Sequence, residues 1–285
     1  MIRIDGNIAK LREAVRCLRK GSGSIGLVPT MGYLHEGHLS LVRKSISENG
    51  STVVTIFVNP LQFGPNEDYE AYPRDLEKDC LLLEKEGVDI VFCPKPEDLY
   101  YPDHSTYVVE ERVSRDLCGA SRPGHFRGVC TIVLKLFLLI GPDRAYFGEK
   151  DFQQLQVIRR MVRDLNVPVE IRGCPIVREK DGLALSSRNV YLSPSERLSA
   201  VALSRSLKAA KELYDSGEKN AGKIIGCVQE ELLSDPALRV EYIELRDAEE
   251  LSVLETVDKP AVLALAVRVG KTRLIDNVKL GEVEA

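Results

Sequence analysis

The stretch Ser24-Ile-Gly-Leu-Val-Pro-Thr-Met-Gly-Tyr-Leu-His-Glu-Gly-His38 changes periodicity partway along. Ser24 to Val28 is a short apolar run of strand character that is expected to stop at Pro29. Leu39, Val42 and Ile46 then recur at helical spacing as far as Asn49-Gly50, a good C-terminal stop. Thr52-Val-Val-Thr-Ile-Phe-Val58 follows as a continuous apolar run, the mark of a strand covered on both faces. A helix is predicted after Tyr72-Pro73 as far as Gly87, and a strand over Val88 to Phe92. Further on come a buried helix over Arg127 to Ile140, a strand over Arg144 to Phe147, a helix over Lys150 to Leu165 and an extended stretch over Val167 to Val177.

This βαβα rhythm implies a Rossmann-like, doubly wound parallel sheet with right-handed crossovers and helices on both faces. Ligands of such folds bind beyond the carboxyl ends of the strands. The pattern changes near Gly182. Ser193-Pro-Ser-Glu196 is a helix start with an S-x-x-E capping box, and helical runs continue to about residue 234. Val240 to Leu245, Ala261 to Val269 and Leu274 to Val278 read as strands. The fold class is therefore α/β, with a large domain over 1–177 and a smaller α+β lid domain over 178–285.

The totals exclude several classes. Of 285 residues, 44% are hydrophobic and 29% charged, which fits a folded globular chain rather than disorder. Lys plus Arg (39) against Asp plus Glu (43) leaves a net charge of −4 with no long basic block, so nucleic acid is not an expected partner. Cysteines at 17, 80, 93, 118, 130, 174 and 227 are odd in number and form no C-x-x-C, so neither a disulfide framework nor a structural zinc site is expected. The N-terminus lacks the pattern of a signal peptide. The most apolar run, Thr131 to Ile140, is broken by Lys135 and is far shorter than the roughly 20 residues a membrane span requires. A cytoplasmic protein is expected.

Four segments could carry chemistry. In Pro29 to His38, His35 and His38 lie three apart at a helix start, where unpaired N–H groups and the positive dipole end suit a phosphate; Gly32 and Gly37 permit close backbone approach. The spacing is not G-x-G-x-x-G, and H-E-x-x-H is absent. Alone, the pair could equally be a metal pair or two surface histidines. In Asn59-Pro-Leu-Gln62, two amides at a strand end suit hydroxyls and carboxylates, or else cap a loop. In Phe147-Gly-Glu-Lys-Asp-Phe-Gln-Gln154, Lys150, Asp151 and Gln154 suit phosphate, ribose and a polar substrate, or else form an ordinary charged helical turn. Ser186-Ser-Arg-Asn189, after the turn Lys180-Asp-Gly182, could clamp an anion through Arg188, or be a surface turn. A fifth segment, Arg122-Pro-Gly-His-Phe-Arg-Gly128, is basic and Gly-rich and receives no catalytic role.

Taken in order, these residues resemble the pantothenate synthetase family. Pro29-Thr-Met-Gly and His35-Glu-Gly-His38 are similar to that family's version of the HIGH signature of nucleotidyltransferase-like enzymes. The resemblance extends through Phe57 to Gly64, Tyr72-Pro-Arg74, Pro123 to Gly128, Pro142 to Asp151 and Ser186 to Asn189. One departure is Leu185, where the family pattern leads us to expect Met, a change that keeps apolar volume.

The resemblance implies condensation of (R)-pantoate with β-alanine by way of a pantoyl adenylate, with ATP and Mg²⁺, in a cytoplasmic homodimer. It implies a nucleotide site lined by Met31, Gly32, Tyr33, Leu34, His35, Glu36, Gly37 and His38, with His38 as proton donor. Gly148, Glu149, Lys150, Asp151, Val177, Leu185, Ser186, Ser187 and Arg188 would complete that site. Gln62 and Gln154 would hold substrate, and Asn59 is placed with them. His35, His38, Lys150 and Arg188 are expected to stabilise phosphate charge; the cysteines are expected to be spectators; the metal ligands are left open. The alternatives weighed are a nucleotidylyltransferase acting on a phosphorylated acceptor and a non-catalytic nucleotide-binding module. A tRNA-charging enzyme is disfavoured for want of a basic surface.

Overall fold

The computed structural model describes residues 1–65 and 67–281. It divides into two compact units, Met1–Glu149 with Val157–Pro175, and Lys150–Gln156 with Ile176–Ala285.

The first unit is built on six strands: β1 (Ile2–Ile4), β2 (Ile25–Thr30), β3 (Ser51–Ile56), β4 (Ile90–Phe92), β5 (Arg144–Gly148) and β6 (Glu170–Cys174). They lie in the order β1-β4-β3-β2-β5-β6 with every neighbouring pair parallel. The order reverses at β2, so the edge beyond β2 and β5 is where such a sheet binds ligand. The doubly wound sheet expected from the apolar runs is thus present. Its helices are α1 (Ile8–Ser22), α2 (Glu36–Glu48), α3 (Leu76–Glu86), the single turns α4 (Pro96–Leu99) and α5 (Cys118–Ser121), α6 (His125–Ile140) and α7 (Phe152–Asp164), whose first turn groups with the second unit.

Val28, Val54 and Val91 turn one sheet face toward Leu39 and Val42 of α2 and Leu83 of α3. The alternate residues Leu27, Val53 and Ile90, also fully buried, turn the other way, where α1 packs against β2 and α6. Tyr146 on β5 is completely buried and its hydroxyl is satisfied: it donates to Glu48 at 2.8 Å and accepts from Asn49 at 2.7 Å.

Two differences from the sequence reading have physical causes. β2 does not stop at Pro29 but runs through it to Thr30. Its pairing with β5 ends at Leu27, so beyond that point one flank carries no ladder and a missing N–H costs no bond. β1 and α1 were not foreseen. α1 follows Asn7, whose side chain accepts the Lys10 N–H at 2.9 Å as an N-cap.

The second unit contains α8 (Pro194–Asp215), α9 (Ala221–Leu233) and an antiparallel sheet β7-β8-β9, formed by Leu238–Asp247, Ala261–Val269 and Thr272–Leu280. The predicted capping box closes both ways: Ser193 accepts the Glu196 N–H, and Glu196 accepts the Ser193 N–H at 2.8 Å. Leu203, Leu207, Ile224 and Val228 pack on Leu263, Leu265 and Val267 of the central strand. No helix among the described residues is long and apolar enough to cross a membrane.

Candidate functional site

β2 delivers its chain to a sharp turn. Thr30 Oγ1 donates to the Thr55 carbonyl at 2.8 Å and accepts the Gly32 N–H at 3.2 Å. Gly32 (φ +85°) and Tyr33 (φ +52°) are both left-handed. Gly32 is required twice over, because a Cβ there would lie 2.9 Å from Ile56 and 3.0 Å from the Asp79 carboxylate. For Tyr33 the left-handed conformation costs about 1–2 kcal/mol, and Asp79 offsets it. This carboxylate, only 1% exposed, accepts the N–H groups of Tyr33 and Leu34, each at 2.7 Å. Burial pushes the Asp79 carboxyl above its usual value, against the downward pull of those two donors.

The turn ends at the histidine pair. His35 is the N-cap of α2, and its Nδ1 accepts the Gly37 N–H at 3.2 Å; His38 Nδ1 accepts the His35 N–H at 3.3 Å. The ring centroids are 4.0 Å apart and tilted by 34°. A backbone N–H can only donate, so both Nδ1 atoms are acceptors and the proton of each neutral ring sits on Nε2. The two imidazoles are therefore set as Nε2–H donors at a helix N-terminus, the arrangement that suits phosphate oxygens. Glu36 commits its carboxylate to Arg43, which holds it below its usual range and which also pairs with Glu86 at 2.7 Å.

Gln62 and Asn59 occupy a short 3-10 turn over Pro60–Gln62 after β3. Gln62 Nε2 contacts the Met31 sulfur at 3.0 Å, so it shares the neighbourhood of the first loop. Asn59, 1% exposed, uses all four of its hydrogen-bond positions. Its Oδ1 accepts from the Leu61 N–H and the Tyr100 hydroxyl, and its Nδ2 donates to Gln62 Oε1 and the Gly128 carbonyl. The loop-capping alternative thus describes Asn59 as it stands, with its Nδ2 held on the Gln62 side chain. α6 lies against this turn so closely that a Cβ on Gly128 would meet the Leu61 oxygen at 2.3 Å. Within the same unit a cavity of about 720 Å³ is lined by Met31, Gly32, Phe57, Asp79, Arg74 and Lys95 among others.

Gly148 ends β5 and Glu149 follows it in the first unit, and the second unit carries the remaining candidates. A 3-10 turn over Glu149–Asp151 sets Lys150 3.7 Å from the Asp151 carboxylate, and the Lys150 carbonyl accepts Asn277 Nδ2 at 3.0 Å. Gln154 lies half-buried in the first turn of α7, which starts at Phe152 rather than at Lys150, so that Lys150 belongs to the preceding 3-10 turn and not to the same helix. Val177 and Leu185, separated in sequence, are brought together: the Leu185 N–H donates to the Val177 carbonyl at 3.0 Å across a hairpin that turns at Gly182. Arg178 anchors this hairpin on the buried Asp276 through two bonds of 2.6 and 2.9 Å. Ser186 Oγ accepts the Arg188 N–H at 3.3 Å, and Asn189 ties the motif to Ala184 and Glu179. Arg197 braces Glu179 and Asp181 in turn.

The structure therefore assembles two groups, Met31 to His38 with Gln62 in one unit and Lys150 with Val177, Leu185 and Ser186 to Arg188 in the other. Sequence reasoning missed Asp79, Asn277 and the Arg178–Asp276 pair. Asp79 carried a signal: with Leu76, Cys80 and Leu83 it falls on the apolar stripe of α3, where an acid needs a buried partner. Asn277 stands beside Asp276 on β9, and both are buried polar residues. The fifth segment also has a defined place, since Arg122 and His125 contact Glu67 and Gln62. The cysteines are free thiols. Burial pushes Cys93 and Cys130 up to about 12, far from a nucleophile's range.

Comparison with known proteins bears on this arrangement. A family model described as pantoate-beta-alanine ligase matches residues 3–279. A pantothenate synthetase of Pseudothermotoga lettingae is 59% identical over 277 residues, covering 97% of this chain and 98% of that one. A crystal structure of pantothenate synthetase from Thermus thermophilus superposes with a TM-score of 0.93 at 49% identity, covering 98% of this chain and 99% of the other. A pantoate-beta-alanine ligase from Francisella tularensis, solved with a βγ-ATP compound and β-alanine, gives a TM-score of 0.80 at 35% identity, covering 98% and 97%.

Proposed function

The chain belongs to the pantoate-β-alanine ligase family, and from that premise we propose how its residues join pantoate to β-alanine at the expense of ATP. A carboxylate and an ammonium do not condense in water, because the carboxylate oxygen is a poor leaving group and the ammonium has no lone pair. Attack of a pantoate carboxylate oxygen on the α-phosphorus of ATP breaks the bond to the bridging oxygen and releases pyrophosphate. The neutral amine of β-alanine, having given up a proton, then attacks the acyl carbon of the adenylate and expels AMP.

The observation that carries this reading is the fixed tautomer of His35 and His38. Both rings spend Nδ1 on backbone N–H groups and keep the proton on Nε2, so both serve as donors to phosphate oxygens whose charge grows in the transition state. Lys150 and Arg188 serve phosphate oxygens as cations, with Arg188 as a fork and Lys150 as a point charge. Gln62 and Gln154 orient pantoate, and Gln62 later orients β-alanine. Val177 and Leu185, joined across their hairpin, supply apolar contact for adenine. The Francisella relative, solved with a βγ-ATP compound and β-alanine, supports the two substrates.

We propose that ATP is used with Mg²⁺, which when bound would neutralise phosphate charge. Among the described residues no group of three or more His, Cys, Asp or Glu side chains is placed to hold a metal. We further propose that the protein works in the cytoplasm as a homodimer, as its family resemblance implies.

Single-turnover formation of the adenylate tests the division of labour. His38→Ala and Lys150→Ala are each expected to slow it on the order of 100-fold with the fold retained. Normal rates in both would refute the assignment.

A further inference from the structure

Gln62 sits at the end of a 3-10 turn, an element with little stiffness of its own. What fixes it lies on α6 and just before it. The Gln62 carbonyl accepts from His125 Nδ1 at 2.9 Å and, more distantly, from Arg122 Nη2 at 3.4 Å. His125 Nε2 lies 3.0 Å from Arg122 Nη1. Arg122 in turn makes two bonds of 2.7 Å to the Glu67 carboxylate.

The direction of this chain follows from its ends. A carbonyl can only accept and a guanidinium can only donate, so His125 must carry its proton on Nδ1 and accept at Nε2. The ring is thereby held neutral and in one tautomer, opposite to that of His35 and His38. The surroundings are dry enough for this to matter: His125 is 8% exposed and Gln62 9%. The Arg122 and Glu67 side chains are 15% and 24% exposed. Burial pushes the Glu67 carboxyl up, but the Arg122 guanidinium outweighs it and the net shift is downward, so the pair stays charged. Gly128, one turn along α6, lets the helix backbone approach the turn closely, since a Cβ there would lie 2.3 Å from the Leu61 oxygen and 2.6 Å from the Gln62 nitrogen.

We propose that His125 is a positioning residue for the known reaction. Held in its Nδ1–H form by the Glu67–Arg122 pair, it fixes the Gln62 backbone so that the Gln62 amide meets the pantoate carboxylate. This rests on the proposed assignment of Gln62 to pantoate. It gives the fifth segment a role that its sequence did not disclose. It also accounts for a basic motif whose charges are spent on the protein rather than on a phosphate.

Steady-state kinetics on the full chain test the proposal, with thermal melting checked for each variant. Gln62→Ala and His125→Phe are each expected to raise the KM for pantoate about tenfold, leaving the KM for ATP within about twofold. If His125 acts through the Gln62 side chain, His125→Phe adds nothing further to the pantoate KM in the Gln62→Ala background. His125→Asn, whose amide can still donate to the Gln62 carbonyl, recovers most of the loss. Arg122→Lys keeps the charge but loses the fork, and gives a smaller rise confined to pantoate; it serves as the readout if His125→Phe does not fold.

A rise in pantoate KM for Gln62→Ala with none for His125→Phe, or fully additive effects in the double variant, overturns the positioning role and leaves the Gln62 assignment standing. An unchanged pantoate KM in Arg122→Lys equally counts against the relay. If Gln62→Ala itself leaves the pantoate KM unchanged, the assignment of Gln62 fails, and the proposal with it.

Discussion

The carboxylate of Asp79 accepts the backbone N–H of Leu34 at 2.7 Å, although the two residues stand 45 apart in the chain. Its other oxygen takes the N–H of Tyr33. One acid on the buried stripe of α3 thereby fixes the turn that carries His35, which makes Asp79 a positioning residue under the role proposed for His35.

Asp79→Asn puts an amide donor against one of two backbone donors and leaves that N–H buried without an acceptor. Such a loss costs about 1–3 kcal/mol. The expected outcome is a lower melting temperature together with a first half-reaction slowed roughly tenfold or more, through displacement of His35. Thermal melting and single-turnover adenylate formation measure the two effects. A variant that melts and reacts like the parent shows that the turn holds itself.

Asn277 plays the corresponding part for Lys150, since its amide holds the Lys150 carbonyl. Asn277→Ala releases that turn while leaving the lysine charge in place. We expect catalysis to fall roughly tenfold, less than for Lys150→Ala, because the charge remains and only its aim is lost. Equal losses in the two variants would mean that Asn277 supports the whole unit rather than the lysine.

Much of this was legible before any coordinates. Buried parallel strands read as unbroken apolar runs, which is why Thr52-Val-Val-Thr-Ile56 identified β3. The S-x-x-E signal placed the start of α8, because a capping box is a local device. The histidine pair was visible for the same reason, its spacing being set by one helical turn. Asp79 shows in the sequence as an acid on the apolar stripe of α3, but its two partners lie 45 and 46 residues away and only the folded turn supplies them. His125 was hidden likewise, since its ligand is a carbonyl 63 residues back. For α1 the sequence does carry a signal, as Ile8, Leu11, Val15 and Leu18 recur at helical spacing after Asn7.

Acid stability offers a check on the frame of the first unit. Asp143 accepts the Ile25 N–H at 2.7 Å and pairs with Arg19. Burial pushes its carboxyl up, but these partners outweigh it and hold the folded value below the ordinary 3.8. A carboxyl depressed on folding contributes stability that is present above the unfolded value and lost as pH falls through the folded one. The parent should therefore exceed Asp143→Asn by a constant margin above about pH 5, and that margin should shrink below about pH 4. Urea midpoints across this range measure it, and a margin that widens toward acid would contradict the sign.

The most direct measurement is exchange of labelled pyrophosphate into ATP with pantoate present and β-alanine withheld. If a carboxylate attacks the α-phosphorus first, exchange proceeds, requires pantoate, and falls on the order of 100-fold in His38→Ala and Lys150→Ala. Formation of pantothenate without any pantoate-dependent exchange would contradict a released-pyrophosphate first step, and the roles assigned to the histidine pair and Lys150 would go with it.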